Sequence, residues 1–205
     1  MNSQSHRLEV VDLACQRGDR LLFEGVSFHL DAGEALLLRG PNGCGKSSLL
    51  RILAGFLRPI AGTVRFDAHS QHADLPAYRA QLAYVGHRSA VKAMLSVREN
   101  IAFAGALFGA RPDDRALAAM DLMGIADLPG RHLSSGQHRR TALARLAAVE
   151  RPLWLLDEPA VGLDAANRAR LQTLMAAHRA DGGMIVVASH GDVAIEDAHL
   201  LEFGA

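Results

Sequence analysis

Residues 36–55 read LLLRGPNGCGKSSLLRILAG, and no other stretch limits the fold of this chain so tightly. An apolar run enters a glycine-rich loop, and leucine and isoleucine at helical spacing follow. That order predicts a strand, a tight turn and a helix in immediate succession. Gly40, Gly45, Lys46 and Ser47 fill the pattern G-x-x-x-x-G-K-[ST]. Such a loop wraps backbone N–H groups around an anion, so side chains must be absent where the backbone curves. Gly40, Gly43 and Gly45 meet that need, with Pro41, Asn42 and Cys44 between them and Ser48 next in line. The helix expected from Lys46 to Ala54 turns its positive end toward the same anion. Lys46 supplies a point charge to β and γ phosphates, and Ser47 offers a hydroxyl to Mg²⁺. A glycine-rich turn with a surface lysine explains the glycines, but not the strand before them and the helix after.

Further strands are expected at 8–14, 22–30, 62–66, 81–86, 153–157, 184–189 and near 198–203, with a helix near 165–180. From Ser96 to Glu150 alanine and leucine dominate, and three or four helices fit, roughly 97–108, 113–123 and 135–149. Strands alternating with helices imply an α/β fold with a largely parallel core sheet. The length of 205 residues fits one domain. We divide it into a core, 1–87 and 151–205, and an inserted helical subdomain at about 88–150. The segment HSQHADLPAY (69–78) reads as an exposed loop. Its histidines, His69 and His72, have no cysteine or acidic cluster beside them to complete a metal site.

Lys plus Arg and Asp plus Glu both number 22, so the balanced charge leaves no footprint for nucleic acid, and no such partner is expected. Two cysteines, Cys15 and Cys44, point to a reducing compartment. No stretch reaches the ~18 apolar residues of a membrane span. The chain is therefore expected to be soluble and cytoplasmic, with any membrane association indirect.

A phosphate loop needs a carboxylate on a neighbouring strand to complete its metal site. The run PLWLLDEPAVGLD (152–164) provides Asp157 at the end of a hydrophobic strand, where α/β sheets bind ligands. Asp157 is assigned to the Mg²⁺ shell, directly or through water. Glu158 follows as the general base, or as the group that polarises and orients the attacking water. In VVASHGD (186–192), His190 stands just past another apolar strand, placed to hold that water and Glu158 in line.

Ahead of the acidic strand lies HLSSGQHRRTALARLAAVERPLWLLDEP (132–159). LSSGQ at 133–137 resembles the signature motif of the ATP-binding cassette (ABC) ATPases. Phosphate loop, signature, LLDEP, GLD and SH occur in that family's order, and the resemblance covers essentially the entire chain. It implies a P-loop NTPase fold of ABC type: a mainly parallel core sheet, an antiparallel β edge and an inserted helical subdomain. It also implies ATP and Mg²⁺ as ligands, and a homodimer in which two ATP molecules are sandwiched head to tail. Ser134, Ser135, Gly136 and Gln137 then contact the partner copy's γ phosphate through a helix N-terminus, and Asp164 of GLD lies across the same interface. Arg17 stands near the position where many members stack adenine on an aromatic ring.

Within the family the chain is most similar to the ATP-binding subunits of the haem exporter of cytochrome c biogenesis. RGDRLLFEGVSFHLDAGE (17–34) and GHRSAVKAMLSVREN (86–100) carry that likeness, together with a short C-terminus. His87 and Arg88 occupy the switch loop, where most members carry glutamine at the first position and this branch usually reads GHQ. Imidazole is a poorer ligand for a hard cation than a carbonyl oxygen, which leaves His87 a water-mediated or a mechanical role. The resemblance implies an ATPase peripheral to the cytoplasmic face of a bacterial inner membrane. There it would work with integral membrane subunits, with residues 88–100 as the coupling segment. The alternatives are an ABC subunit exporting another small molecule and a soluble, non-transport ABC ATPase.

Overall fold

Nine strands and six α-helices follow one another along the chain. They are β1 (Arg7–Arg17), β2 (Arg20–Asp31), β3 (Ala35–Arg39), α1 (Lys46–Leu53), β4 (Ala61–Phe66), β5 (His69–Ser70), α2 (Leu75–Arg79) and β6 (Leu82–Val85). Then come α3 (Val97–Ala106), α4 (Arg115–Ala119), α5 (Ser135–Ala147), β7 (Leu153–Asp157), α6 (Ala165–Ala180), β8 (Met184–Ala188) and β9 (His199–Glu202). This computed structural model describes residues 6–67, 69–109, 114–191 and 193–203, and all counts refer to those.

The five core strands are parallel, in the order β6-β7-β8-β3-β9. The antiparallel strands form a sheet of their own, in the order β2-β1-β4-β5. β7 and β8 are buried along their whole length, as parallel strands covered on both faces must be. Alternation sorts their side chains into two cores. Leu37, Trp154, Leu156, Ile185 and Val187 face α5 and α6. Leu36, Leu38, Leu155 and Val186 face α1 and the antiparallel sheet. On α1, Leu49, Leu50, Ile52 and Leu53 are fully buried, each side chain contributing about 2 kcal/mol by leaving water.

The register places the functional loops. Leu38 pairs with Ala188, and Ala188 pairs with Asp157. The carboxyl ends of β3, β7 and β8 therefore reach one edge together. Between β6 and β7 the described regular elements are all helical, as the alanine and leucine content predicts. α4 spans only Arg115–Ala119 of the expected 113–123, residue 113 lying outside the described residues. Asp121, at φ 54°, turns the chain just past it. Two 3-10 turns, Met123–Ile125 and Gly130–His132, follow. α3 and α5 start at capping boxes, Ser96 with Glu99 and Ser134 with Gln137.

The expectation of a loop at 69–78 is overturned, although His72, Ala73, Asp74 and Pro76 are exposed as expected. This segment forms β5 and α2, with Asp74 capping the helix by accepting from Ala77 N–H. Tyr78 is fully buried and donates to the Leu53 carbonyl, and buried Gln71 donates to the Ile52 carbonyl. Tyr78 supplies a donor to the Leu53 carbonyl at the end of α1, and Gln71 adds a second donor to the Ile52 carbonyl, which also accepts from Gly55 N–H. Gln71 and Tyr78 of the segment therefore serve as an interior cap, while His72 and Asp74 stay exposed.

Candidate functional site

The glycines of the phosphate loop are dictated by space as well as by backbone angle. Gly40 lies at φ 142°, and a Cβ there would sit 2.5 Å from the Phe203 carbonyl oxygen. Gly45 lies at φ 119°, where a Cβ would meet the Phe23 ring at 2.9 Å. Gly45 is the N-cap of α1 and brings no side chain to that terminus. Lys46 opens the helix, nearly buried, and donates to the Gly40 carbonyl at 2.6 Å and the Pro41 carbonyl at 3.0 Å. The ammonium is thus held over the loop by two neutral acceptors, which a phosphate can replace.

Across the sheet edge, Ser47 Oγ donates to Asp157 Oδ1 at 2.9 Å. Asp157 is 1% exposed, and its Oδ2 has no hydrogen-bond partner among the described residues. Glu158 Oε2 is buried in the same condition. Glu158 Oε1 lies 3.2 Å from His190 Nε2. Buried carboxylate oxygens without partners are costly, so the site suits a cationic or proton-bearing ligand.

These groups surround one cleft of about 450 Å³. Lys46, Ser47, Asp157, Glu158 and His190 all line it. So do Arg17, His87, Asn42, Gly43, Gly45 and Ser48. Gly40, Pro41 and Cys44 shape the loop without lining the cleft, and Arg88 is exposed away from it. Arg51 also lines the cleft, and burial and the Asp157 charge raise the pKa of the Tyr84 hydroxyl.

The signature residues stand elsewhere. Ser134, Ser135, Gly136, Gln137 and Asp164 are absent from the cleft wall. Ser134 Oγ accepts from Gln137 N–H, and Gln137 Oε1 accepts from Ser134 N–H at 2.8 Å. A Cβ on Gly136 would lie 3.1 Å from the Gly162 carbonyl, so the signature and the GLD turn are neighbours. Asp164 caps α6, and its carboxyl is held below the usual range by the Asn167 N–H it accepts.

One residue that the motifs do not single out is central here. Arg139 of α5 is buried and donates to the carbonyls of Gly86, Asp157, Glu158 and Pro159. The signal was present in the periodicity. Arg139, Ala142, Leu143 and Leu146 fall on one helical stripe, all buried, and an arginine on such a stripe must be satisfied internally.

A strand-loop-helix phosphate cradle, a carboxylate pair at the next strand end and a separate signature helix define an ATP-binding subunit of ABC type. The chain belongs to the ABC transporter family, whose domain matches residues 23–161, and it is an ATP-hydrolysing subunit of that class. "Cytochrome c biogenesis ATP-binding export protein CcmA" of Rhodospirillum rubrum is 52% identical over 93% of this chain and 82% of its own. The protein of the same name from Paramagnetospirillum magneticum is 46% identical, over 94% and 93%. Among solved structures, a putative ABC transporter ATP-binding protein from Pyrococcus furiosus superposes with a TM-score of 0.83 at 20% identity. That likeness covers 96% of this chain and 97% of the other, and it speaks for the fold alone.

Proposed function

We propose that this chain is the ATP-hydrolysing subunit of a cytochrome c biogenesis export complex, engaged in haem export or in release of a haem chaperone. Two copies would clasp two ATP molecules and drive integral membrane partners from the cytoplasmic face of a bacterial inner membrane. Among the described residues no helix is long and apolar enough to cross a membrane, so attachment would run through those partners. Identity to the export proteins over most of both chains supports the biological role. The observation that supports the dimer is geometric: the phosphate loop, Asp157, Glu158 and His190 line one cleft of a single copy, while the signature helix begins outside it and is left for the nucleotide of a second copy.

The single domain is read as a core, 1–87 and 151–205, with a helical subdomain at about 88–150. A groove of about 370 Å³ lies where α3 and α5 meet β6, walled by Phe56, Tyr84, Leu107, Phe108 and Leu146. Its apolar lips, with Leu107 65% exposed, support docking of the membrane subunits there. Residues 88–100 lie alongside, and buried Asn100 fixes their path by bonding Lys92, Leu95 and Ser96 backbone groups.

Ser47 and Asp157 would hold Mg²⁺, and the buried, unpartnered Asp157 oxygen fits a cation that takes one carboxylate and fills its shell with phosphate oxygens and water. When bound there, the ion would supply positive charge beside the β- and γ-phosphate oxygens. Lys46 would exchange its two carbonyl acceptors for phosphate oxygens, and N–H groups of the loop would donate to the remaining phosphate oxygens. Arg17 would stack its guanidinium plane on the base. Glu158 would accept the proton of the water that attacks the γ phosphorus, while the bond to the ADP oxygen breaks. His190, touching Glu158, would keep carboxylate and water in line. His87 at the cleft wall would report nucleotide occupancy to the coupling segment.

Glu158→Gln tests the core of this reading. Turnover should fall by about a thousandfold, the scale of lost general-base catalysis, while ATP binding survives and ATP shifts the variant toward a dimer. Hydrolysis at the unmodified rate would remove Glu158 from its role. Recovery of polytopic membrane partners with the tagged chain from solubilised membranes, and loss of cytochrome c maturation in its absence, test the biological assignment.

A further inference from the structure

Arg139 is surrounded by carbonyl oxygens. Nε donates to Pro159 O at 3.1 Å, Nη1 to Gly86 O at 2.8 Å, and Nη2 to Asp157 O at 2.7 Å and Glu158 O at 2.6 Å. Burial pulls its pKa down, and the nearby charges of Asp157 and Glu158 pull it back up. Holding a guanidinium in the interior is expensive compared with an apolar side chain of similar size. Its neighbours on the stripe, Ala142, Leu143 and Leu146, show what simple packing uses.

The four acceptors explain the cost. Three are the consecutive carbonyls that bracket Glu158. The Glu158 backbone lies at φ 50°, a left-handed conformation that a residue with a long side chain holds only when its surroundings impose it. Bonds to the carbonyls before, at and after it impose it here. That backbone turn leaves the carboxylate 3.2 Å from His190 rather than in the sheet. The fourth acceptor, Gly86 O, immediately precedes His87. Six residues further along the same helix, largely buried Arg145 donates to the Ser89 and Ala90 carbonyls. The 86–90 segment is thus pinned to α5 at both ends.

We infer that Arg139 is a positioning residue for ATP hydrolysis: from the helix that begins at the signature, it holds the Glu158 carboxylate at His190 and fixes the His87 segment at the cleft. The inference rests on the proposed role of Glu158 and adds to it a physical link. A displacement of the signature helix reaches the Glu158 turn through the Arg139 guanidinium, and the switch loop through Arg139 together with Arg145.

The tests are Arg139→Lys and Arg139→Gln, assayed well below each variant's melting midpoint against unmodified protein at the same temperature. Lysine keeps the charge but cannot span four planar acceptors. The expected result is a kcat loss of about 10- to 100-fold, the scale of a misplaced catalytic group. KM and nucleotide affinity should stay within about twofold. In single-turnover measurements on Glu158→Gln protein, adding Arg139→Lys should cost much less than it does in unmodified protein, because the carboxylate it positions is already gone and only the share carried through the His87 segment remains. An unchanged kcat in Arg139→Lys, equal losses in kcat and nucleotide affinity, or the same fold loss in the Glu158→Gln background would overturn the inference. If Glu158→Gln alone hydrolyses normally, it is the role of Glu158 that fails, and the two failures are told apart.

Discussion

Two helices of this chain begin at termini proposed to meet phosphate, and they are finished differently. α1 starts at Gly45 with no side-chain cap, so its first N–H groups are left for whatever enters the cleft. α5 starts at Ser134 with a closed capping box, Ser134 and Gln137 each accepting from the other's backbone. A phosphate arriving at α1 displaces only the carbonyls that hold Lys46. A phosphate arriving at α5 from a second copy must compete with a cap the helix already has. One terminus is therefore built to bind tightly within a single chain. Under the proposed dimer the other would bind conditionally, and let go once the γ phosphate is cleaved. The contrast gives a physical reason for a proposed dimer that forms and dissolves on each turn of the cycle.

The contrast can be broken at either end. Lys46→Ala strikes the tight terminus and should lower hydrolysis by about a hundredfold or more through lost phosphate stabilisation. Nucleotide affinity in the isolated copy should fall with it. Ser134→Ala strikes the conditional terminus. Turnover should fall about tenfold, the value of one hydrogen bond to a charged group, and stability by about 1 kcal/mol through the lost cap. Nucleotide binding by the single copy should be untouched, and weakened binding there would show the two termini to be one site. Mixing the two variants sharpens the point. One site of the mixed dimer carries both defects and the other carries neither, so the mixture should turn over faster than either parent alone.

A smaller effect should involve neither terminus. His178 on α6 stacks on Trp154 of β7 with ring centroids 3.7 Å apart, at the end of the strand remote from Asp157. Burial lowers its pKa from 6.5 to about 4. Above pH 6.5 both folded and unfolded chains carry it neutral, and it adds no pH dependence. As pH falls from 6.5 toward 4 the unfolded chain takes up the proton first, so stability declines across that window. His178→Gln should flatten that part of the melting-versus-pH curve while leaving ATP turnover at neutral pH unchanged.

The parts legible in the sequence were those whose chemistry is local. Lys46, Ser47, Asp157 and His190 each sit within a few residues of a strand end, and the strands were visible as apolar runs. The alternating helix and strand order then brought them to one edge without further information. What escaped was polar residues used as interior parts. Tyr78 and Gln71 lie in a segment whose histidines, aspartate and proline resemble a surface loop, yet they close the end of α1. The local sign was Asp74 followed by Pro76, a helix start. Arg139 escaped for a related reason. In a helix rich in arginine, charge reads as solvated, and only its place on the apolar stripe sets it apart.

The left-handed backbone at Glu158 has a practical consequence for anyone engineering this protein. Asparagine and glycine adopt that conformation with less penalty than glutamate does, so either replacement should relax the turn while erasing the carboxylate. A library screened for heat tolerance alone would drift toward sturdier molecules that no longer spend ATP. Screening at this position therefore has to couple survival to catalysis from the first round.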